Sequence, residues 1–528
     1  MKNKTIKVIL AAIMTCSLTL SCLAGCGSED GASGGESSVS EKGENKPGSS
    51  SGDKNNSDDD GKGNDSDGDG STTGDSTDNT DHPHEYGEWT VSQASTCTER
   101  GEKKRTCSCG SEETRPVETI THKYESSECK HCGAEEPAPS QGLQFTDSID
   151  GESYVVTGIG SCKDYNIVIP STYEGKPVIA VGYTAFSGQT EIGSVIIPDS
   201  VTQIETAAFS RCTNLYSVSI PDSVTKIDVS AFAECTSLTK VELREGLTDI
   251  GLRAFYGCTA LDGVIIPDSV TAINETTFEK CSALSNVTLG EGLTTIGSKA
   301  FMGCSALVRV SIPDSVTTIG SHAFYDCSSL ADVDLGKGVT TIEGFAFANC
   351  TSLTKINIPD QVTTLGTDVF MYCTGLVEAT IGNGVTSVSA FAYCSGLAKV
   401  TLGSSVTEIG GFTECTSLTE ITIPDSVTKI NSYAFEKCTG LTEITLPEGL
   451  IGISDNAFAM CSGIVSVTIP ASIQWMDGNA FANCDGLTDI HYGGTKAQWE
   501  AFSKTDGWWD SGTDGYTIHC TDGDIVKE

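Results

Sequence analysis

Over the C-terminal two-thirds of this chain, apolar residues fall into the pattern L-x-x-V-x-I, and the pattern recurs at a fixed interval. In one copy it is carried by Leu261, Val264 and Ile266, and Pro267 closes it. The alternation of Val264 and Ile266 predicts a short strand with one buried face. Proline has no amide donor and ends the pairing. Asp268-Ser269 then predict a turn, which glycine makes in alternate copies, as in Gly290-Glu291-Gly292. Residues 270–273 form a second extended piece, and an Ala-Phe-x-x-Cys segment leads the chain into the next copy. Fourteen phenylalanines from Phe186 to Phe481 mark the interval. Every step is 23 residues except Phe370 to Phe391 and Phe391 to Phe412, which are 21. A period in this range predicts a solenoid whose units bury their apolar faces only against their neighbours. Such arrays present long surfaces and usually bind rather than catalyse.

The repeated A-F-x-x-C-x-x-L-x-x-V-x-I-P resembles the leucine-rich repeats of the BspA-like proteins of bacterial surfaces, over about residues 145–520. The resemblance implies a curved solenoid with parallel strands on its concave side and short turns or helical turns between them. The fourteen units occupy 186–490. Open ends of a solenoid invite edge pairing, so caps are expected. Residues 141–185, with Tyr154 and the run Ile167-Val168-Ile169-Pro170, read as the N-terminal cap. Residues 491–528 read as the C-terminal cap, in which Trp499, Trp508 and Trp509 form a hydrophobic plug rather than a sugar-binding platform.

Thirteen units place a cysteine three residues after the phenylalanine, from Cys212 to Cys484, and Gln189 stands there in the first. Cysteine is among the most readily buried side chains, and strand spacing is too wide for the Cβ separation of a disulfide. A buried column of free thiols is expected. The two 21-residue units lose residues between the second strand and the phenylalanine.

Charge and composition alter the picture mainly outside the array. The 528 residues carry a formal net charge of −39, which argues against nucleic acid and anionic lipid as electrostatic partners. Lys2, Lys4 and Lys7 precede an apolar run over 8–20, too short to span a bilayer, and Leu23-Ala24-Gly25-Cys26 follows. Residues 1–25 thus resemble a bacterial lipoprotein signal, which implies lipid on Cys26 and anchoring to the outer side of a membrane. Residues 26–81 are mostly Gly, Ser, Asp, Asn and Glu, with almost nothing apolar, and read as a disordered, self-repelling linker.

Residues 82–140 contain Cys97, Cys107, Cys109, His122, Cys129 and Cys132. They resemble a small ribbon-like module seen beside repeat domains in surface proteins of gut bacteria. So short a chain needs a staple. Cys129-Lys130-His131-Cys132-Gly133 is a knuckle that offers two thiolates to one metal, so structural zinc on these six residues is one reading. Disulfides are the other, since an exported protein permits them. No further cofactor is required.

Within L-x-x-V-x-I, the residues flanking the valine face the concave solvent. One set includes Lys240, Arg309, Lys355 and Lys399, which read either as partner-contacting cations or as members of charge pairs between strands. The functional expectation is a monomeric, lipid-anchored surface protein whose solenoid binds surface or matrix proteins of host or neighbouring cells. A spacer without a specific ligand and a carbohydrate binder are the alternatives. An enzyme is not expected. His322 sits at a variable repeat position with no nucleophile signature, and the array reads as regular throughout.

Overall fold

The computed structural model describes residues 87–96, 99–108, 110–117, 119, 122, 124–125, 128–505, 507 and 515–527. The signal, the linker, Cys26, Cys97, Cys109, Trp508 and Trp509 lie outside them.

The repeat folds as a parallel β-solenoid with almost no helix. Every coil but the one at 419–423 adds one strand to a first ladder built on V-x-I. Asn166–Val168, Ser194–Ile196, Ser217–Ser219, Lys240–Val241, Gly263–Ile265 and Asn286–Thr288 pair in that order, in parallel. The second extended piece is also a ladder, running Lys176–Val181, Gln203–Ile204, Lys226–Ile227 and Asp249–Ile250 at its start. A 23-residue step keeps every pair in register, so Val195 faces Val218 and Ile204 faces Ile227.

The Ala-Phe-x-x-Cys segment is neither strand nor helix. Residues two before and two after the phenylalanine take left-handed backbone, as at Ala207 (φ 55°) and Arg211 (φ 62°), except that Ser389 and Gly410 before Phe391 and Phe412 end strands instead. That conformation is strained for a side-chain-bearing residue. It turns alternate amides along the array axis: Ala207, Phe209 and Arg211 donate to the carbonyls of Val229, Ala231 and Ala233 at 2.9, 2.7 and 2.7 Å. A third set of inter-coil bonds therefore closes the side where helical turns were one expectation.

The interior is a column of identical layers. All fourteen phenylalanines are fully buried. Successive rings stack with centroids 5.0–5.6 Å apart and planes within 18°. The two short units keep the stack, at 5.4 and 5.5 Å. Truncating one such ring to alanine costs about 3–5 kcal/mol in a core that cannot collapse around the void.

The thirteen repeat cysteines are free and fully buried. Each thiol donates to the phenylalanine carbonyl of the preceding coil, from Cys212 to Phe186 O at 3.0 Å to Cys484 to Phe458 O at 3.0 Å. The same carbonyl accepts the amide of the cysteine in its own coil, as Phe209 O does from Cys212 N at 3.1 Å. Both lone pairs of a buried oxygen are then filled. Gln189 stands in the first coil because no earlier phenylalanine carbonyl awaits a donor there. Burial pushes the Cys212 and Cys281 thiols up to about 12, which keeps them protonated and able to donate.

From Pro267 to Gly382 the turns alternate, for a reason of the same kind. Asp268, Asp314 and Asp360 accept the amides of Glu291, Lys337 and Asn383, each one coil further on. A Cβ on Gly290 would lie 2.3 Å from Pro267 O, so glycine is required there.

Both ends are sealed. Gln144–Asp147 covers Tyr154–Gly158 in antiparallel fashion before the parallel ladder begins. At the far end helix α1 (Lys496–Ala501), capped by Thr495, buries Trp499 against Tyr492 and Phe502. Tyr516–Cys520 then pairs with Asp489–Tyr492 and is closed by Gly523–Lys527. Trp499 is thus the plug.

The thiol column gives a direct prediction. In the native protein the thirteen repeat cysteines resist a thiol reagent at neutral pH, and all thirteen react once denaturant opens the coils. Counting labelled peptides by mass spectrometry checks it.

Candidate functional site

Three regions carry polar chemistry: the face of the first ladder, the cysteine and histidine knuckle, and the contact between the small module and the array.

On the ladder face, parallel register sets each side chain beside its counterpart one coil away. Arg309 pairs across to Asp332 at 3.1 Å. Glu378 lies between Lys355 and Lys399, at 3.2 and 2.7 Å. Lys240 bonds to Glu242 on its own coil. These four cations are more than half exposed, and each is already paired. Exposed pairs contribute about 0–1 kcal/mol, so they order the face while remaining cheap to exchange for a partner's charges. The Glu378 carboxyl is held below its usual range by the hydrogen bonds from Lys399 and Lys355. Beside them stand short polar residues such as Thr380, Thr401, Thr445 and Thr468.

In the module, Thr90–Gln93 (β1), Gly101–Thr106 (β2) and Glu112–Val117 (β3) form an antiparallel sheet. Trp89 lies under the cations Arg105 and Arg115, at 4.7 and 5.0 Å from its ring centre. Beyond the sheet, a tight turn brings Cys129 and Cys132 together with His122. The Gly133 amide, at φ 72°, donates to Cys129 O at 2.7 Å and shapes that turn. The ligand atoms of His122, Cys129 and Cys132 lie within 4.8 Å of one another, with Cys132 Sγ 3.3 Å from His122 Nδ1. Burial pushes the Cys129 thiol up, but the amides of His131 and Cys132 and the side chains of His122 and Cys132 outweigh it and bring it to about 6. Cys107 is buried elsewhere and is not in this group. Of the six residues expected to share one metal, the described structure gathers three.

The module does not stand apart from the array. Lys103 bonds Asp268 at 2.8 Å, and Thr119 bonds Glu242 at 2.8 Å. Arg115 donates to Leu289 O and reaches Glu291, both at 2.9 Å. Sequence reasoning missed this contact. It also took the array as regular throughout, which Arg244 contradicts: a buried arginine stands there at a position that is Pro or Gly in the neighbouring coils.

His322 occupies a left-handed position two before Phe324 and stacks on Phe345 at 4.9 Å. Ser321 Oγ lies 2.7 Å from its Nδ1 and donates its own hydrogen to Gly344 O at 2.9 Å. A serine whose proton is held by a carbonyl is not presented to a base.

Two solved bacterial structures illustrate the similarity. A leucine-rich repeat protein of Bacteroides ovatus is 29% identical, with a TM-score of 0.61 over 70% of this chain and 98% of that one. A leucine rich cell surface protein of Faecalibacterium prausnitzii is 28% identical, with a TM-score of 0.40 over 71% and 99%. No curated protein matches the sequence. The BspA type leucine rich repeat region matches residues 179–308, 294–413 and 410–507, which together span most of the array. With its stacked phenylalanines, thiol column and V-x-I ladder, the chain belongs to the BspA-type leucine-rich repeat family.

Proposed function

We propose that this protein is displayed on a bacterial cell surface by lipid on Cys26 and binds other proteins through the face of its first ladder. The observation that carries the reading is that face itself: a long, rigid series of strands bearing short polar residues and exchangeable ion pairs. Such a surface suits extended contact with a protein, and it lacks the clustered aromatic anchors of a deep pocket. Surface or matrix proteins of host or neighbouring cells are the partner class. The export signal and linker at 1–81 support display at a distance from the membrane. Among the described residues no helix is long and apolar enough to cross a membrane. Catalysis is not part of the proposal, since the polar residues of the array serve its own ladder and turns.

We further propose that His122, Cys129 and Cys132 hold a structural zinc ion that staples the module. A tetrahedral ion with Zn–S bonds of about 2.3 Å needs ligand atoms about 3.5–3.8 Å apart; here all three lie within 4.8 Å of one another, with Cys132 Sγ already 3.3 Å from His122 Nδ1. A Cys129 thiol near 6 is mostly thiolate at neutral pH, which is the form that binds metal.

Two outcomes are expected. The full chain binds immobilised matrix proteins or whole cells saturably, and exchanging the Arg309 and Asp332 side chains (Arg309→Asp with Asp332→Arg) weakens that binding while keeping the cross-strand pair. Absence of saturable binding to every surface tried would leave the spacer reading. Elemental analysis finds one zinc per chain, and the Cys129→Ser with Cys132→Ser variant loses it; a metal-free purified protein ends the zinc proposal.

A further inference from the structure

Two residues of the array break its own rule, and they stand in adjoining coils. From Ser219 to Thr468 the middle position of V-x-I is polar in every coil except at Ile265. From Pro198 to Pro470 the residue after V-x-I is proline or glycine in every coil except at Arg244. A repeat departs from its own rule where something other than stacking is served.

What both serve is the small module. Strand alternation turns Glu242, Ile265 and Thr288 outward, to the same side as Lys240, Gly263 and Asn286. All three meet the module. Thr119 donates to Glu242 Oε2 at 2.8 Å, and Ile265 and Thr288 share a cleft of about 680 Å³ with Val91, Val117 and Thr119. Arg244 donates to the same Glu242 oxygen at 2.6 Å and so holds that carboxylate where Thr119 reaches it. At the strand ends Lys103 bonds Asp268, and Arg115 bonds Leu289 O and Glu291. The module therefore lies across three consecutive coils of the first ladder, and the face is exposed again at Arg309 and Asp332.

Charge holds the two parts together more than packing does. Cations of the module, Lys103, Arg105 and Arg115, face anions of the array, Asp268 and Glu291. The apolar side chains Val91, Val117 and Ile265 border the open cleft, so parting the two surfaces exposes little further apolar area. Ion pairs of this kind weaken as salt shortens the screening length, from about 10 Å at 0.1 M to about 3 Å at 1 M.

We propose that the module is a displaceable cover on the ladder face, hiding the stretch from Glu242 to Thr288 from a protein partner until salt or the partner lifts it. The inference rests on the protein-binding reading of that face. Ser140 is fixed to the array by its amide on Val168 O at 2.9 Å, so a lifted module stays tethered and returns by an intramolecular step. A partner must then outcompete a contact that the chain itself supplies at high effective concentration.

Hydroxyl-radical footprinting of the full chain tests the cover, with Ile265 as reporter and the exposed Val465 of a distant coil as internal standard. Raising sodium chloride from about 0.05 M to about 1 M should raise the Ile265-to-Val465 oxidation ratio at least twofold. Lys103→Glu with Thr119→Glu sets carboxylates against Asp268 and Glu242 and leaves Arg115 on Trp89; it should raise the ratio as much at low salt. The salt arm needs no variant and stands whether or not the substitutions are tolerated. The same variant should bind immobilised matrix proteins or whole cells at least threefold more tightly than the parent. A ratio that either treatment leaves unmoved overturns the cover. A raised ratio with binding unchanged or weakened overturns its competition with a partner. Absence of binding by parent and variant alike overturns the protein-binding reading itself, and the gating with it.

Discussion

The buried carbonyl of each repeat phenylalanine is the point on which the array turns. It lies in a dry interior with two lone pairs to fill, and a lone unpaired oxygen there would cost as much as a lost hydrogen bond. The cysteine amide of the same coil fills one, and the thiol of the next coil fills the other. Ring stacking places successive phenylalanines close enough for that thiol to reach. Apolar burial contributes several kcal/mol per ring and the S–H bond about 1 kcal/mol, so stacking sets stability and the thiol sets register. A serine would fill the same lone pair but would bring a second polar demand into an apolar layer. Cysteine meets the need with a weak donor and little to desolvate.

The architecture was legible because a solenoid repeats its reasons. Fourteen copies of a phenylalanine, thirteen of a cysteine and a strict V-x-I alternation leave little freedom once the interval is seen. Gln189 and the Asp-to-glycine alternation were visible as patterns, but their cause lies between coils and needed coordinates. The left-handed pairs around twelve of the fourteen phenylalanines were not readable, because residues as different as Ala207, Arg211, Lys280 and Tyr433 occupy them. There the inter-coil hydrogen bonds override residue preference. The sites were less legible than the fold. Lys240, Arg309, Lys355 and Lys399 are exposed along the first ladder, and register supplies the partners of the last three while Lys240 pairs on its own coil. The knuckle at Cys129 and Cys132 was plain from spacing and His122 was expected with it, whereas Cys107 was expected there too and is buried elsewhere. The docking of the module was invisible, since nothing local in residues 101–119 states that Arg115 meets Leu289.

Repetition also explains where chemistry can enter. A residue that serves every coil cannot serve a ligand in one of them, so specific chemistry appears where the pattern yields. The strand face yields at its solvent positions, where charge varies from coil to coil at little cost to the core. The array yields a second time at Arg244, beneath the module.

The central claim is that coils are equivalent layers, each held by its immediate neighbours through the phenylalanine column. Excision of one full period tests it most directly. Removing residues 305–327 joins Cys304 to Ser328 in register and should leave a protein with the same circular dichroism per residue and a single cooperative melt. Removing residues 305–316 breaks the register and should unfold the flanking coils. Comparable stability of the two deletions, or collapse of the full-period deletion, would contradict the account.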